Sequence, residues 1–185
     1  MRGFSCIGLD NPKSPLNVGS ALRAAGIYGS AMVITSGQRY TRAPTDTMKH
    51  YRHLPLVHAV DLHEAIPFDC VPVAVDLVPG AKALHEYKHP ERAFYVFGAE
   101  DATLGKRTLF WCRDKIYIPT NGCMNLAACV NVVLYDRCVK LGFPGVTKDL
   151  GLTPNHWSRD RDGRTILRTF ETQGVTIVTN QRRCS

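Results

Sequence analysis

The sequence predicts an α/β domain built on a largely parallel central sheet of about six strands with helices on both faces. Three observations carry this expectation. Short β-rich runs alternate with helix-patterned runs along the first three-quarters of the chain. A length of 185 residues is one ordinary domain with an appendage, long enough to bury a core without disulfides or metal. Composition is globular, with 44% hydrophobic and 21% charged residues.

The elements follow in order. "FSCIGLD" reads as the first strand, and "NPKSPLN" supplies turn residues, with Asn17 expected as the N-cap of the helix "NVGSALRAAGIYG". Leu16, Leu22, Ala25 and Ile27 give that helix its apolar residues, and Gly29 is its natural stop. "AMVITS" is the second strand; "LPLVHAV" is the third, followed by a helical "DLHEAI". "VPVAVDLV" and "AFYVFGAE" are the fourth and fifth, and "DATLGKRTLFW" is helical. "KIYIPT" is the sixth, broken at Asn121-Gly122 before an almost uninterrupted apolar helix over 123–141 that carries Asn125 and Asn131. Composition shifts after "GFPG", dividing the chain into a domain over 1–145 and an extension over 146–185. The extension has apolar patches at "RTILRTF" and "GVTIV". An added helix and strand, a substrate contact and a partly mobile tail are all compatible with it.

The formal charge of +7 favours a polyanionic partner, because phosphate contacts by Lys and Arg release counterions. The segment 38–53 interleaves Arg39, Arg42, Lys49 and Arg52 with Tyr40 and Tyr51, as a phosphate-and-base contacting surface does; a solvated loop and helix read the same way. No window has the apolar length of a membrane span or a signal peptide, so a soluble cytoplasmic protein without membrane contact is expected. Seven cysteines lack any C-x-x-C pair, and the expectation is reduced thiols rather than a zinc site or a disulfide framework. His85 and His89 stand four apart in "HEYKH" without a third ligand, which reads as a surface pair, and no metal site is expected.

Ligands of open parallel sheets bind at the carboxyl ends of the strands, and the unusual residues cluster there. Asp10-Asn11 and Asn17-x-Gly19-x-x-x-Arg23 follow the first strand, Asp76-Leu77 the fourth, Gly98-Ala99-Glu100 the fifth, and 118–125 the sixth. Neither G-x-G-x-x-G after the first strand nor G-x-x-x-x-G-K-[ST] occurs, which removes the two common nucleotide folds. Glu100 in "GAED" has two readings, a general-acid carboxylate or a hydrogen-bonding brace.

In order and spacing, "NPKSPLNVGSALRAAGIYG", "FYVFGAED" and "IYIPTNGCMNLAACVNVVLYD" resemble the three motifs of the SpoU/TrmH family of SPOUT RNA methyltransferases. Within that family, the M-N-L run and "LYDRCVKLGFPG" are most similar to TrmL-type enzymes, which methylate wobble-nucleotide ribose 2′-oxygens of tRNA. The resemblance implies a deep C-terminal trefoil knot, a homodimer, S-adenosylmethionine as cofactor and RNA as substrate, tRNA before rRNA. It implies that Leu77, Gly98, Ile118, Cys123 and Met124 surround the cofactor, largely through backbone. Arg23 matches the motif-one arginine, expected to bind phosphate and stabilise developing alkoxide charge, since a guanidinium is a poor free base. Asn17, Glu100 and Asn125 match the remaining motif residues as orienters of the arginine or the ribose, and Asn125 also reads as a helix N-cap. Two positions depart from the family pattern: Cys123 replaces a serine, and Thr103 replaces a glycine. A fold relative that binds RNA without turnover, and an unrelated small α/β nucleotide-binding protein, are the competing readings.

Overall fold

The computed structural model describes residues 3–39, 52–144, 169–172 and 175–178. The chain divides into two compact units, Met1–Pro144 and Gly145–Ser185. In the first, strands β1 (Ser5–Leu9), β2 (Met32–Thr35), β3 (Leu56–His58), β4 (Val71–Val75), β5 (Lys82–Ala83), β6 (Ala93–Phe97) and β7 (Asp114–Tyr117) form one sheet in the order β3-β2-β1-β6-β4-β7-β5. Every pair in it is parallel. The sheet has one more strand than the sequence predicts, because a two-residue edge strand such as β5 is too short to carry a period.

The strand order places β6 between β1 and β4, so the chain, having run out to β3, crosses over and then returns to the middle. Crevices at such a reversal are where open α/β sheets bind ligands. The central strands are covered on both faces, with β1 and β6 buried at all positions. Ile7, Leu9, Val73, Tyr95 and Phe97 face a core shared with helices α1 (Pro15–Ile27) and α3 (Leu126–Leu141). Cys6, Ala74, Phe94 and Val96 face a second core, capped by Leu104 and by Leu109 and Trp111 of α2 (Lys106–Trp111). Each buried Phe, Ile or Val contributes about 1.5–3 kcal/mol through area removed from water. Gly8 is required by this packing, since a Cβ there would sit 2.6 Å from Cζ of Phe94.

Three sequence expectations change. "DLHEAI" forms turns, not a helix; its six residues run into Pro67, and the Asp61 carboxylate accepts the His63 N–H instead. The N-cap of α1 is Ser14, whose hydroxyl accepts the Asn17 N–H at 3.4 Å, with Pro15 at the first helical position. His85 and His89 are not a surface pair: His89 is buried, its Nδ1 2.6 Å from the Tyr95 hydroxyl and its Nε2 2.8 Å from Asp136 of α3. Beside it Arg137, 1% exposed, donates to the carbonyls of Pro90 and Glu91 at 2.6 Å each and fastens α3 to the sheet's amino end.

In the second unit the described residues are two antiparallel strands, β8 (Thr169–Thr172) and β9 (Val175–Val178). Among the described residues, no helix is long and apolar enough to cross a membrane, and no cluster of His, Cys, Asp or Glu could hold a metal ion.

Candidate active site

Helix α1 leaves β1 through the turn 10–14 with Pro15 locking its first residue, which puts Asn17 in its first turn at the carboxyl edge of the sheet. With Ser14 capping the helix, the Asn17 side chain is free to reach across the sheet. Its Nδ2 donates to Oε1 of Glu100 at 2.7 Å, in the loop after β6. The same carboxylate accepts the backbone N–H groups of Lys13 at 2.9 Å and Ser14 at 3.1 Å. Burial alone would raise the Glu100 pKa; the hydrogen bonds from Asn17, Lys13 and Ser14 outweigh it and hold the carboxyl below its ordinary range. An ionised carboxylate with three donors on it has no proton to give, so of the two readings of "GAED" the geometry supports the brace.

Asn17 in turn accepts, on Oδ1, the Nδ2–H of Asn125 at 2.9 Å. Asn125 is the N-cap of α3, its Oδ1 accepting the N–H of Ala127 at 2.9 Å and of Ala128 at 3.4 Å. Three side chains, 83 and 108 positions apart in sequence, thus form one directed chain of hydrogen bonds joining the loop after β6, α1 and α3. Arg23 is not part of it. It is exposed on the stripe Leu16, Ser20, Arg23 and Ile27 of α1, and among the described residues it makes no hydrogen bond or ion pair.

Beside this chain lies a cleft of about 1050 Å³ walled by the loops after β4, β6 and β7 and the start of α3. All five residues expected around a cofactor line it: Leu77, Gly98, Ile118, Cys123 and Met124. Its walls are folded tightly. A Cβ on Gly98 would come within 3.1 Å of the Ala102 carbonyl and 3.3 Å of the Leu104 nitrogen, so the loop curls over bare backbone there. Thr120 donates to the Gly122 carbonyl at 2.7 Å, closing the turn before Cys123. Volume, apolar walls and backbone polar groups held in place by the turns fit an adenosyl ligand, whose base edge needs donors and acceptors at set positions.

Two carboxylates here were given no role by the sequence, although Asp76 stood among the residues placed at the strand ends. Asp76, at the end of β4, accepts the Leu77 N–H at 2.7 Å on one oxygen and the Leu104 N–H at 2.6 Å on the other, tying two walls of the cleft together. Burial first, and the nearby Asp76 charge to a lesser degree, push the Cys129 thiol pKa up, and that thiol donates to the Met124 carbonyl at 3.7 Å. Asp101, following Glu100, takes both arms of the Arg39 guanidinium. The place of Asp76 at a strand's carboxyl end was the available signal; the Arg39 pairing had none. Of the expected RNA-contacting residues, Arg39 is therefore ion-paired and Arg52 exposed, while Arg42 and Lys49 lie outside the described residues.

The sequence profile of the SpoU rRNA Methylase family matches residues 5–135. No curated protein sequence matches the chain. Solved structures do. The SpoU methyltransferase AviRb from Streptomyces viridochromogenes aligns with a TM-score of 0.64 at 22% identity over 74% of this chain and 59% of AviRb. It has also been solved in complex with the cofactor AdoMet. A structure giving insight into the 2-OH methylation of C/U34 on tRNA aligns with a TM-score of 0.64 at 23% identity, over 76% of this chain and 92% of that one. The A. aeolicus TrmH/SpoU tRNA modifying enzyme aligns at 0.68 and 15% identity, over 80% and 84%. At these identities the likeness is one of fold, and the chain spans about three-fifths of AviRb's length.

Proposed function

The chain belongs to the SpoU rRNA Methylase family, and from that premise we propose that it is an S-adenosylmethionine-dependent RNA 2′-O-ribose methyltransferase acting on tRNA, with the wobble nucleotide as target. The observation that carries the reading is the Glu100–Asn17–Asn125 chain: one residue from each of three separated motifs, bonded together at the edge of a cofactor-sized cleft. The half-buried Asn17 and the exposed Asn125 each point a carboxamide along this chain toward Glu100, an order that packing of the fold alone does not require. tRNA is preferred to rRNA because the alignment covers 92% of the C/U34 methylation neighbour. rRNA, which the family's name carries, is the alternative. Membership also implies the knotted C-terminal segment expected of such enzymes.

When bound, the cofactor supplies a methyl group already activated on a sulfonium sulfur. What the protein must add is alignment and an easier loss of the ribose proton. Leu77, Gly98, Ile118, Cys123 and Met124 would hold the cofactor, and Asn125 and Asn17 would orient the ribose hydroxyl, their own amides fixed by Glu100. Arg23 would bind the adjacent phosphate and stabilise the oxygen as its proton leaves, with phosphate or water taking that proton. Arg39, Arg42, Lys49 and Arg52 would contact the RNA backbone, and the segment 146–185 is assigned no role in methyl transfer.

We read the active protein as a homodimer. Leu16 and Ile27 of α1 and Tyr135 and Val139 of α3 are each more than half exposed although both helices belong to the main core. A second copy covering that face would also bring Arg23, which shares the Leu16–Ile27 stripe, into the interface.

The decisive experiment is mass spectrometry of nucleosides from tRNA incubated with the protein and labelled cofactor, with rRNA in a parallel reaction. A labelled 2′-O-methylnucleoside is expected from tRNA; no labelled nucleoside from either RNA would end the enzymatic reading. Arg23→Lys should lower methyl transfer by about a hundredfold or more while cofactor binding by calorimetry stays within twofold. A variant with near-normal turnover would remove Arg23 from the mechanism.

A further inference from the structure

We propose that Lys13 and Arg39 form a phosphate-binding site for the substrate RNA, and that Asp101 fills this site until RNA displaces it. The inference rests on the RNA methyltransferase reading and adds to it the place where one phosphate is gripped and the group that competes for it. Arg39 follows β2 and meets the Asp101 carboxylate with both prongs of its guanidinium, Nη1 to Oδ1 at 3.0 Å and Nη2 to Oδ2 at 2.7 Å. Lys13, in the turn between β1 and α1, adds its ammonium at 3.7 Å from the same Oδ2. Two cations from two strand ends therefore converge on one anion carried by a third.

This pair is unlike an ordinary surface ion pair in place and form. Lys13 also donates its backbone N–H to Glu100, so the anion site abuts the hydrogen-bond chain at its carboxylate end. Asp101 itself lines the cofactor cleft. The fork-on-carboxylate geometry is the one a guanidinium also adopts on a phosphate, so Asp101 occupies the position of a phosphodiester oxygen pair. All three side chains are partly in solvent, between 33% and 64% exposed, and exposed pairs exchange partners at little cost. A phosphodiester taking the carboxylate's place also releases counterions, which the internal pair does not. Arg39 holds the Asp101 carboxyl at about 2, so the competitor is charged at every pH at which RNA binds.

The test uses the full-length protein and bulk tRNA, with affinity read by filter binding at several salt concentrations. Asp101→Asn should tighten tRNA binding about three- to tenfold at each salt concentration, because the same phosphate contact is made in both proteins and only the competing carboxylate is lost. Arg39→Ala should weaken binding more in the Asp101→Asn background than in the wild type, because only there is the guanidinium fully available. Asp69→Asn is the control for charge alone: it removes the same charge from the exposed Arg92–Asp69 pair, which sits before β6 and β4 at the opposite end of the sheet. The inference is overturned if Asp101→Asn leaves affinity unchanged or weakens it, if Asp69→Asn tightens binding equally, or if Arg39→Ala has the same effect in both backgrounds. A wild-type protein that methylates tRNA while Asp101→Asn binds it no better loses only this inference. A wild-type protein that neither binds nor methylates tRNA loses the inference and the functional reading together.

Discussion

The Glu100 carboxylate is the fixed end of the active-site hydrogen bonds, since an ionised group accepts only and every neighbour must donate to it. Glu100→Gln keeps the shape and reverses part of the polarity: one of its two terminal atoms becomes a donor facing either the Lys13 N–H or the Ser14 N–H and the amide of Asn17. A loss of about 1 kcal/mol in urea unfolding is expected, modest because the site is open to solvent, along with a fall of at least tenfold in methyl transfer. The carboxylate's pKa is lower folded than unfolded, so its contribution to stability is complete above the unfolded value near 4.5 and declines as pH falls from there through the folded value. Thermal midpoints measured from pH 6 down to pH 3 should therefore drop in the wild type and drop less in Glu100→Gln. This residue was half legible in the sequence. "GAED" after a strand marked a loop carboxylate at the ligand end, but its donors come from positions more than 80 residues away, and no local pattern records them.

Helix α3 shows how one residue serves both an element and a site. Asn125 spends its oxygen on the helix and its nitrogen on Asn17, so the two uses separate by substitution. Asn125→Asp retains the cap, and a carboxylate suits the positive end of the helix dipole, yet it has no hydrogen to give Asn17. Stability within about 0.5 kcal/mol of wild type with methyl transfer down at least tenfold is the expected pattern. Asn125→Ala should lose activity and about 1 kcal/mol besides. Comparable activity in Asn125→Asp would mean the Asn17 contact is dispensable. α3 was readable because an Asn ahead of a sustained apolar run is a local signal. α1 was readable in extent but not in its cap: Ser14 and Asn17 are both good capping residues three apart, and the choice was made by Pro15 and by Glu100 across the sheet. His89 was misread for the same reason in reverse, since the residues that bury it belong to β6 and α3.

At the scale of the molecule, the exposed apolar face shared by α1 and α3 is the feature that a single copy leaves unsatisfied. Tyr135→Glu with Val139→Glu should convert a dimer to a monomer in sedimentation velocity at micromolar concentration, without changing the helical circular dichroism signal. A wild-type chain that sediments as a monomer would refute the assignment. The parallel sheet was legible in the alternation of runs, because period and punctuation are local properties; strand order and the convergence of four loops are set by crossovers that no run contains. The directed bonds among Glu100, Asn17 and Asn125 carry a consequence for how such a chain can diverge. Each of the three residues fixes which atom its neighbour must present, so an exchange at one is harmful until a matching exchange arises at the next. A mutational search for active variants should find these positions closed to single steps and open only through pairs, which makes three distant segments inherit change as a unit.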